Sequence, residues 1–241
     1  AATAIHLGIA FSLTRLKANK RFTYGYGRLE DLAGIIIVLI IFTSSIVAGY
    51  ESINRFFHPM EVNNLLWVIV ASIIGFLGNE GVALFRIKVG KEIGSAALVA
   101  DGYHARVDGL TSLAVLVGAI GVWFGYPLAD PLVGIAITIG IMFIVWDSAK
   151  AVFTRILDGV EPEIIEQIEH VSSEIIENMP IEIKQIRARW IGHVLHIDLK
   201  ATTKSKLSLE ESNKITEEIR HELGHEIPNI GEVIVSIEVE K

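Results

Sequence analysis

The apolar stretch from about Ser95 to Phe124 carries ionisable residues in Ala100-Asp101-Gly102-Tyr103-His104-Ala105-Arg106-Val107-Asp108. His104 and Asp108 stand four residues apart, so a helix projects both from one face, one turn apart. A neutral imidazole nitrogen and a carboxylate oxygen are donors that zinc accepts at about 2.0–2.2 Å. Asp101, three residues before His104, is a candidate third ligand, a residue supporting the other two, or a packing residue. Two ligands from one helix need two more from a neighbour to complete a tetrahedron. At a rise of 1.5 Å per residue, His104 sits roughly 15 Å from the nearer end of the stretch. In lipid, a charge at that depth costs about 2.5–3.5 kcal/mol on insertion scales. A sequence keeps such groups there with partners or for a task. The structural alternative is a His–Asp pair that only joins helices. Arg106 lies about 200° round the helix and is expected to snorkel or to face a polar cavity.

The elements that position these residues read as membrane helices. The 241-residue chain is 51% apolar, with a mean hydropathy of +0.49, high for a soluble protein of this length. Apolar runs cover residues 1–16, 32–57, 64–85, 95–124 and 131–153. The last four have the roughly 20 residues that cross ~30 Å of hydrocarbon, and the first reads as the second half of such a run. The chain opens Ala1-Ala2-Thr3 inside that run, as if in mid-helix with an upstream piece missing. Arg15, Lys17, Lys20, Arg21 and Arg28 follow it, and Arg86, Lys88 and Lys91 mark a link on the same side. The opposite links hold Arg55 or no base, so the basic side is expected to be cytoplasmic. With no cysteine, metal must be held by His, Asp or Glu.

The expected architecture is an α-helical polytopic membrane bundle, residues 1–160, followed by a cytoplasmic domain, residues 161–241. That tail carries 9 Lys and Arg against 17 Asp and Glu, and the acidic total argues against a nucleic-acid partner. Pro162 opens a helical apolar pattern, and residues 181–189 and 194–201 alternate as strands. Ser208 and Glu211 form a capping-box pattern for a helix to about Leu223, and residues 233–239 alternate again. The order α-β-β-α-β predicts a two-layer, ferredoxin-like α+β fold.

The His104-x-x-x-Asp108 segment resembles the fifth membrane helix of the cation diffusion facilitator family. Tyr24-Gly25-Tyr26-Gly27-Arg28-Leu29-Glu30 resembles the signature after its second helix. Asp130-Pro131 is similar to the start of its sixth, and Leu157-Asp158-Gly159-Val160 to the join with its cytoplasmic domain. The resemblance covers essentially the whole chain in order. It implies that His104 and Asp108 bind the transported ion together with a His/Asp-x-x-x-Asp pair on the second helix, expected immediately before Ala1. His6 lies past that position and reads as a polar residue facing the bundle interior. Arg28 and Asp158 match a salt bridge that ties the family's helices and dimer together. Asn19, Phe22 and Tyr26 stand where some members hold a second metal, and none is expected there. At the tail positions where some members bind metal stand Asp198, Ser236 and Glu238. His193, His196, His221 and His225 are further candidates for a cytoplasmic metal site. Asn79 and Glu80 either line the metal path or serve packing.

The implied function is efflux of a divalent cation, zinc first, across the cytoplasmic or inner membrane by proton antiport with alternating access. The partners implied are the ion, protons, the bilayer and a second copy in a homodimer, with no bound cofactor. Ligands must lose protons to take metal, which builds exchange into the chemistry, and an ordinary histidine pKa near 6.5 suits it. No Gly-x-x-x-x-Gly-Lys loop for ATP occurs. Two alternatives stay open: an intramembrane metallohydrolase, which would want a His-Glu-x-x-His that is absent, and a membrane-anchored metal sensor.

Overall fold

The computed structural model describes residues 8–9, 11–14, 16–58, 64–126, 128–177, 179–204 and 207–239. His6 and most of the first apolar run lie outside them. The chain forms two compact units, Ala1–Phe153 and Thr154–Lys241.

The first unit is helical. The helices are α1 (Arg28–Phe57), α2 (Leu65–Glu92), α3 (Ala96–Trp123) and α4 (Ala129–Ile156), whose last residues belong to the second unit. All four are long and apolar enough to cross a membrane. Leu39, Trp67, Phe85, Phe143 and Trp146 are exposed on their outer faces. Such a surface is unfavourable in water and suited to hydrocarbon, where each helix closes its own backbone hydrogen bonds.

Two boundaries differ from the sequence expectation. Helix α1 begins at Arg28, four residues before the apolar run. Helix α2 runs on to Glu92, so Arg86, Lys88 and Lys91 are helical rather than part of a link. The link is three residues long, Ile93-Gly94-Ser95. Gly94 takes φ 68°, its N–H donates to Lys91 O at 3.3 Å, and the Ser95 N–H donates to Gly90 O at 2.8 Å. This is a Schellman ending, which asks for a residue free to go left-handed. Ser95 then caps the next helix, its hydroxyl accepting from the Leu98 N–H at 3.1 Å.

So sharp a turn lays α2 and α3 antiparallel against each other. Small residues set the spacing: a Cβ on Gly102 would stand 2.6 Å from Ile87 Cγ1 and 3.0 Å from Ile87 N, and one on Gly90 2.8 Å from Val99 N. Ala83, Ala97 and Ala105 are buried. Without a hydrophobic drive between helices in lipid, close van der Waals contact of this kind holds them together.

The second unit contains α5 (Pro162–Ile176), β1 (Ile181–Ile191), β2 (Val194–Thr203), α6 (Leu209–Glu226) and β3 (Ile230–Val239). The α-β-β-α-β order agrees with the α+β expectation, each strand a little longer than its alternation suggested. The sheet order is β1-β2-β3. Strands β1 and β2 are antiparallel, joined at Gly192-His193, where Gly192 takes φ 63° at the first turn position, as a two-residue hairpin requires. Strands β2 and β3 are parallel, so α6 is their crossover. Ile168, Leu195, Ile197, Leu199, Ile219 and Leu223 fill the core between helices and sheet.

Arg155 is built into this unit. Its guanidinium lies 4.5 Å from the centre of the buried Trp190 ring and 3.5 Å from Glu161 Oε1. The Trp190 Nε1–H donates to the same carboxylate at 3.0 Å. A cation over an indole face with its counter-ion alongside is a favourable way to bury an arginine.

Candidate metal centre

Helix α3 brings His104 and Asp108 together. His104 lies eight residues past Ala96, about 12 Å along the helix. Its Nε2 is 3.9 Å from Asp108 Oδ2, with the imidazole side chain 15% exposed and the carboxylate 50% exposed. His104 Nδ1 is buried and has no hydrogen-bond partner among the described residues. An orphaned imidazole nitrogen is costly in a low-dielectric interior. Asp108 faces no Lys or Arg at ion-pair distance among the described residues. The two donors are thus open to a cation, and the half-exposed carboxylate gives it a way in. Among the described residues no third His, Asp or Glu joins them at ligating distance.

Of the roles expected for Asp101, the structure favours packing over ligation. The residue is 1% exposed and turned to the neighbouring helix, where Arg86 Nη1 lies 2.8 Å from its Oδ2. The structure gives this carboxylate a cationic partner instead of a place beside His104. Arg106 is ion-paired across the hairpin: its Nη2 donates to Glu80 Oε1 at 2.7 Å and its Nε to Glu80 Oε2 at 3.3 Å. Glu80 is therefore held by a two-point ion pair, the geometry carboxylates and guanidinium favour. Gly109, beside Asp108, faces α2: a Cβ there would be in ordinary contact with Asn79 Cβ at 3.5 Å and Glu80 N at 3.7 Å.

Both pairings escaped the sequence reading, although a signal exists. In an antiparallel helix hairpin, residues equidistant from the turn face each other. Arg86 lies eight residues before Gly94 and Asp101 seven after; Glu80 lies fourteen before and Arg106 twelve after. Placing the turn at Gly94 would have matched each charge with its opposite.

The other candidates belong to one unit or the other. Arg28 reaches Asp31 on its own helix at 3.4 Å. Asp158, in the second unit, takes φ 58°. His193 occupies the β1–β2 turn. His196 and Asp198 share one face of β2 and line an open surface pocket of about 480 Å³ with Asp158, Arg187 and Arg189. Asp198 is in register with Arg187 and Ile234, whereas Glu238 is opposite Thr202, four positions along the strand. These two carboxylates therefore do not meet. Ser236, opposite Lys200, offers only a hydroxyl. His221 and His225 are exposed on α6 with rings in edge-to-face contact, centroids 4.5 Å apart. Among the described residues of the tail no three possible ligands converge.

Comparison with known proteins bears on the whole chain. Residues 1–157 match the cation efflux transmembrane domain, and residues 160–240 match the cytoplasmic domain of cation efflux proteins. A probable cation efflux system protein of Mycobacterium tuberculosis is 46% identical over 236 residues, covering 98% of this chain and 70% of the relative. The cadmium, cobalt and zinc/H(+)-K(+) antiporter of Bacillus subtilis is 30% identical over 239 residues, 96% of this chain and 74% of that one. A magnetosome protein, MamB, of a Magnetospira strain is 24% identical over 222 residues, 92% and 75% of the two chains. The two matched domains follow in order along membrane-length helices and a small α+β tail, and the chain belongs to the cation efflux family of multi-pass membrane transporters.

Proposed function

We propose that this transporter moves zinc, or a closely similar divalent ion, out of the cytoplasm across the inner membrane in exchange for protons, with His104 and Asp108 supplying two of the ion's ligands. The observation that carries this reading is the pair itself. A buried imidazole nitrogen and a carboxylate, neither with a further partner among the described residues, stand one turn apart, about 12 Å into a membrane-length helix. Nitrogen with oxygen donors suits zinc and its late first-row neighbours better than magnesium or calcium. A second donor pair from another helix would close the tetrahedron. Metal displaces the proton of His104, and the proton returns when the site opens outward and the ion leaves. The tail would join two copies as a homodimer in the cytoplasm, in keeping with its match to a cytoplasmic domain of this family. The relative that exchanges cadmium, cobalt and zinc for other cations supports the same class of substrate.

The test is zinc flux into proteoliposomes with a pH difference imposed across the membrane. The wild-type protein is expected to accumulate zinc when protons can run the other way and to stop when the difference is collapsed. His104→Ala and Asp108→Ala are each expected to cut flux by at least a hundredfold, since each removes a metal ligand. Undiminished flux in the double variant would defeat the assignment.

A further inference from the structure

Two ion pairs bracket the candidate site on the same helix hairpin, and they differ in kind. Arg86–Asp101 takes one charge from each helix on one side of His104. Glu80–Arg106 does the same with the signs exchanged. Arg106 stands between the two ligands in sequence. With a two-residue rise of about 3 Å and a helix about 10 Å across, its charge is within ~10 Å of any ion they hold. A bare guanidinium there would oppose a divalent cation. At ~10 Å and an effective dielectric near 20, one unit charge changes a divalent ion's affinity by more than about tenfold. Glu80 meets that guanidinium at two points, 2.7 and 3.3 Å. Both members are 28% exposed, so water screens them only in part.

We propose that Glu80 sets the affinity of the cation site by neutralising Arg106, so that the bound ion feels the charge of Asp108 without an opposing positive charge. The inference rests on His104 and Asp108 holding the ion. Glu80 does not ligate; it acts through Arg106. Without Glu80 the bare guanidinium would repel the ion, and without Arg106 the bare Glu80 carboxylate would hold it too tightly for ready release. The pairing also explains why a glutamate persists in mid-helix on α2, where the apolar run alone offers no reason for one.

The decisive readout is the sign of two single substitutions. A pair that merely braces α2 against α3 loses its function whichever half is removed, so both variants should harm the site alike. An electrostatic setting predicts opposite effects. In proteoliposomes carrying the full chain, with zinc as the probe ion, Glu80→Gln should raise the half-saturating concentration about tenfold or more. Arg106→Gln should lower it by a similar factor and slow release, reducing maximal flux. The double variant E80Q/R106Q should return to within about threefold of wild type, and Glu80→Asp, which keeps the charge, should stay near it. Both single variants raising half-saturation, or a double variant no closer to wild type than E80Q, would overturn the inference. If E80Q does not fold, R106Q decides alone: a lower half-saturating concentration supports the proposal and a higher one overturns it. The H104A/D108A control separates the two questions, since persisting flux there would remove the site on which the inference stands.

Discussion

Asp101 shows how a carboxylate can be kept at membrane depth for a reason other than its ligand chemistry. It is 1% exposed, and Arg86 lies 2.8 Å away. Removing one member of a buried ion pair strands the other, which typically costs about 3–5 kcal/mol, whereas replacing both with apolar groups is often neutral or better. Asp101→Leu should therefore lower the melting temperature in detergent sharply. The double substitution R86M/D101L should recover most of the loss and keep zinc flux. Loss of flux in a well-folded double variant would instead return Asp101 to the ion's path. His104 and Asp108 behave oppositely: among the described residues neither has a salt-bridge partner beyond the other, so their replacement should harm transport far more than folding.

Elements depend on close approach and on their caps. Gly102→Val places side-chain atoms where Ile87 already stands, 2.6 Å from the Cβ position. Overpacking typically costs about 1–3 kcal/mol, and separating α2 from α3 would also part Glu80 from Arg106. The expected outcome is lower thermal stability together with a higher half-saturating zinc concentration. In the tail, Ser208 and Glu211 close the start of α6: the Glu211 N–H donates to Ser208 Oγ at 3.2 Å, and the Ser208 N–H donates to Glu211 Oε2 at 2.8 Å. The Ser208 N–H, with the Ser208 hydroxyl donating to the same oxygen at 2.8 Å, holds the Glu211 carboxylate below its ordinary value of 4.5. A depressed folded pKa stabilises fully above the unfolded value and is lost as pH falls through the folded one. Protection of the first α6 amides against hydrogen exchange should be flat above pH 5 and fall as acid protonates Glu211. Ser208→Ala should weaken that protection at every pH and remove much of its acid dependence.

For the whole molecule, the absence of cysteine allows a direct test of orientation. A single cysteine at exposed Glu232 should react with a membrane-impermeant maleimide only after the cytoplasmic side is opened. Labelling of intact cells would invert the topology that the Lys and Arg distribution supports. Two solvents act on one chain here. The first unit turns tryptophan and phenylalanine outward on its membrane-length helices, and the second gathers isoleucine and leucine between helices and sheet. Each unit satisfies the hydrophobic effect in its own surroundings, which is why composition alone divides the chain so visibly.

Local signals carried much of this protein. Apolar runs of membrane length, the Ser95 and Ser208 caps and the alternation of the tail strands act within a few residues, so they are legible one segment at a time. The i, i+4 geometry of His104 and Asp108 is of the same kind, since one turn of helix fixes it. Partnership across helices is not local. That Asp101 answers Arg86, that Arg106 answers Glu80, and that Asp198 and Glu238 stand apart depend on which turn pins the hairpin and how the strands register. Those relations join residues 15 to 40 positions apart and are settled by helix packing at glycine and by strand register, which leave no periodic trace in the sequence.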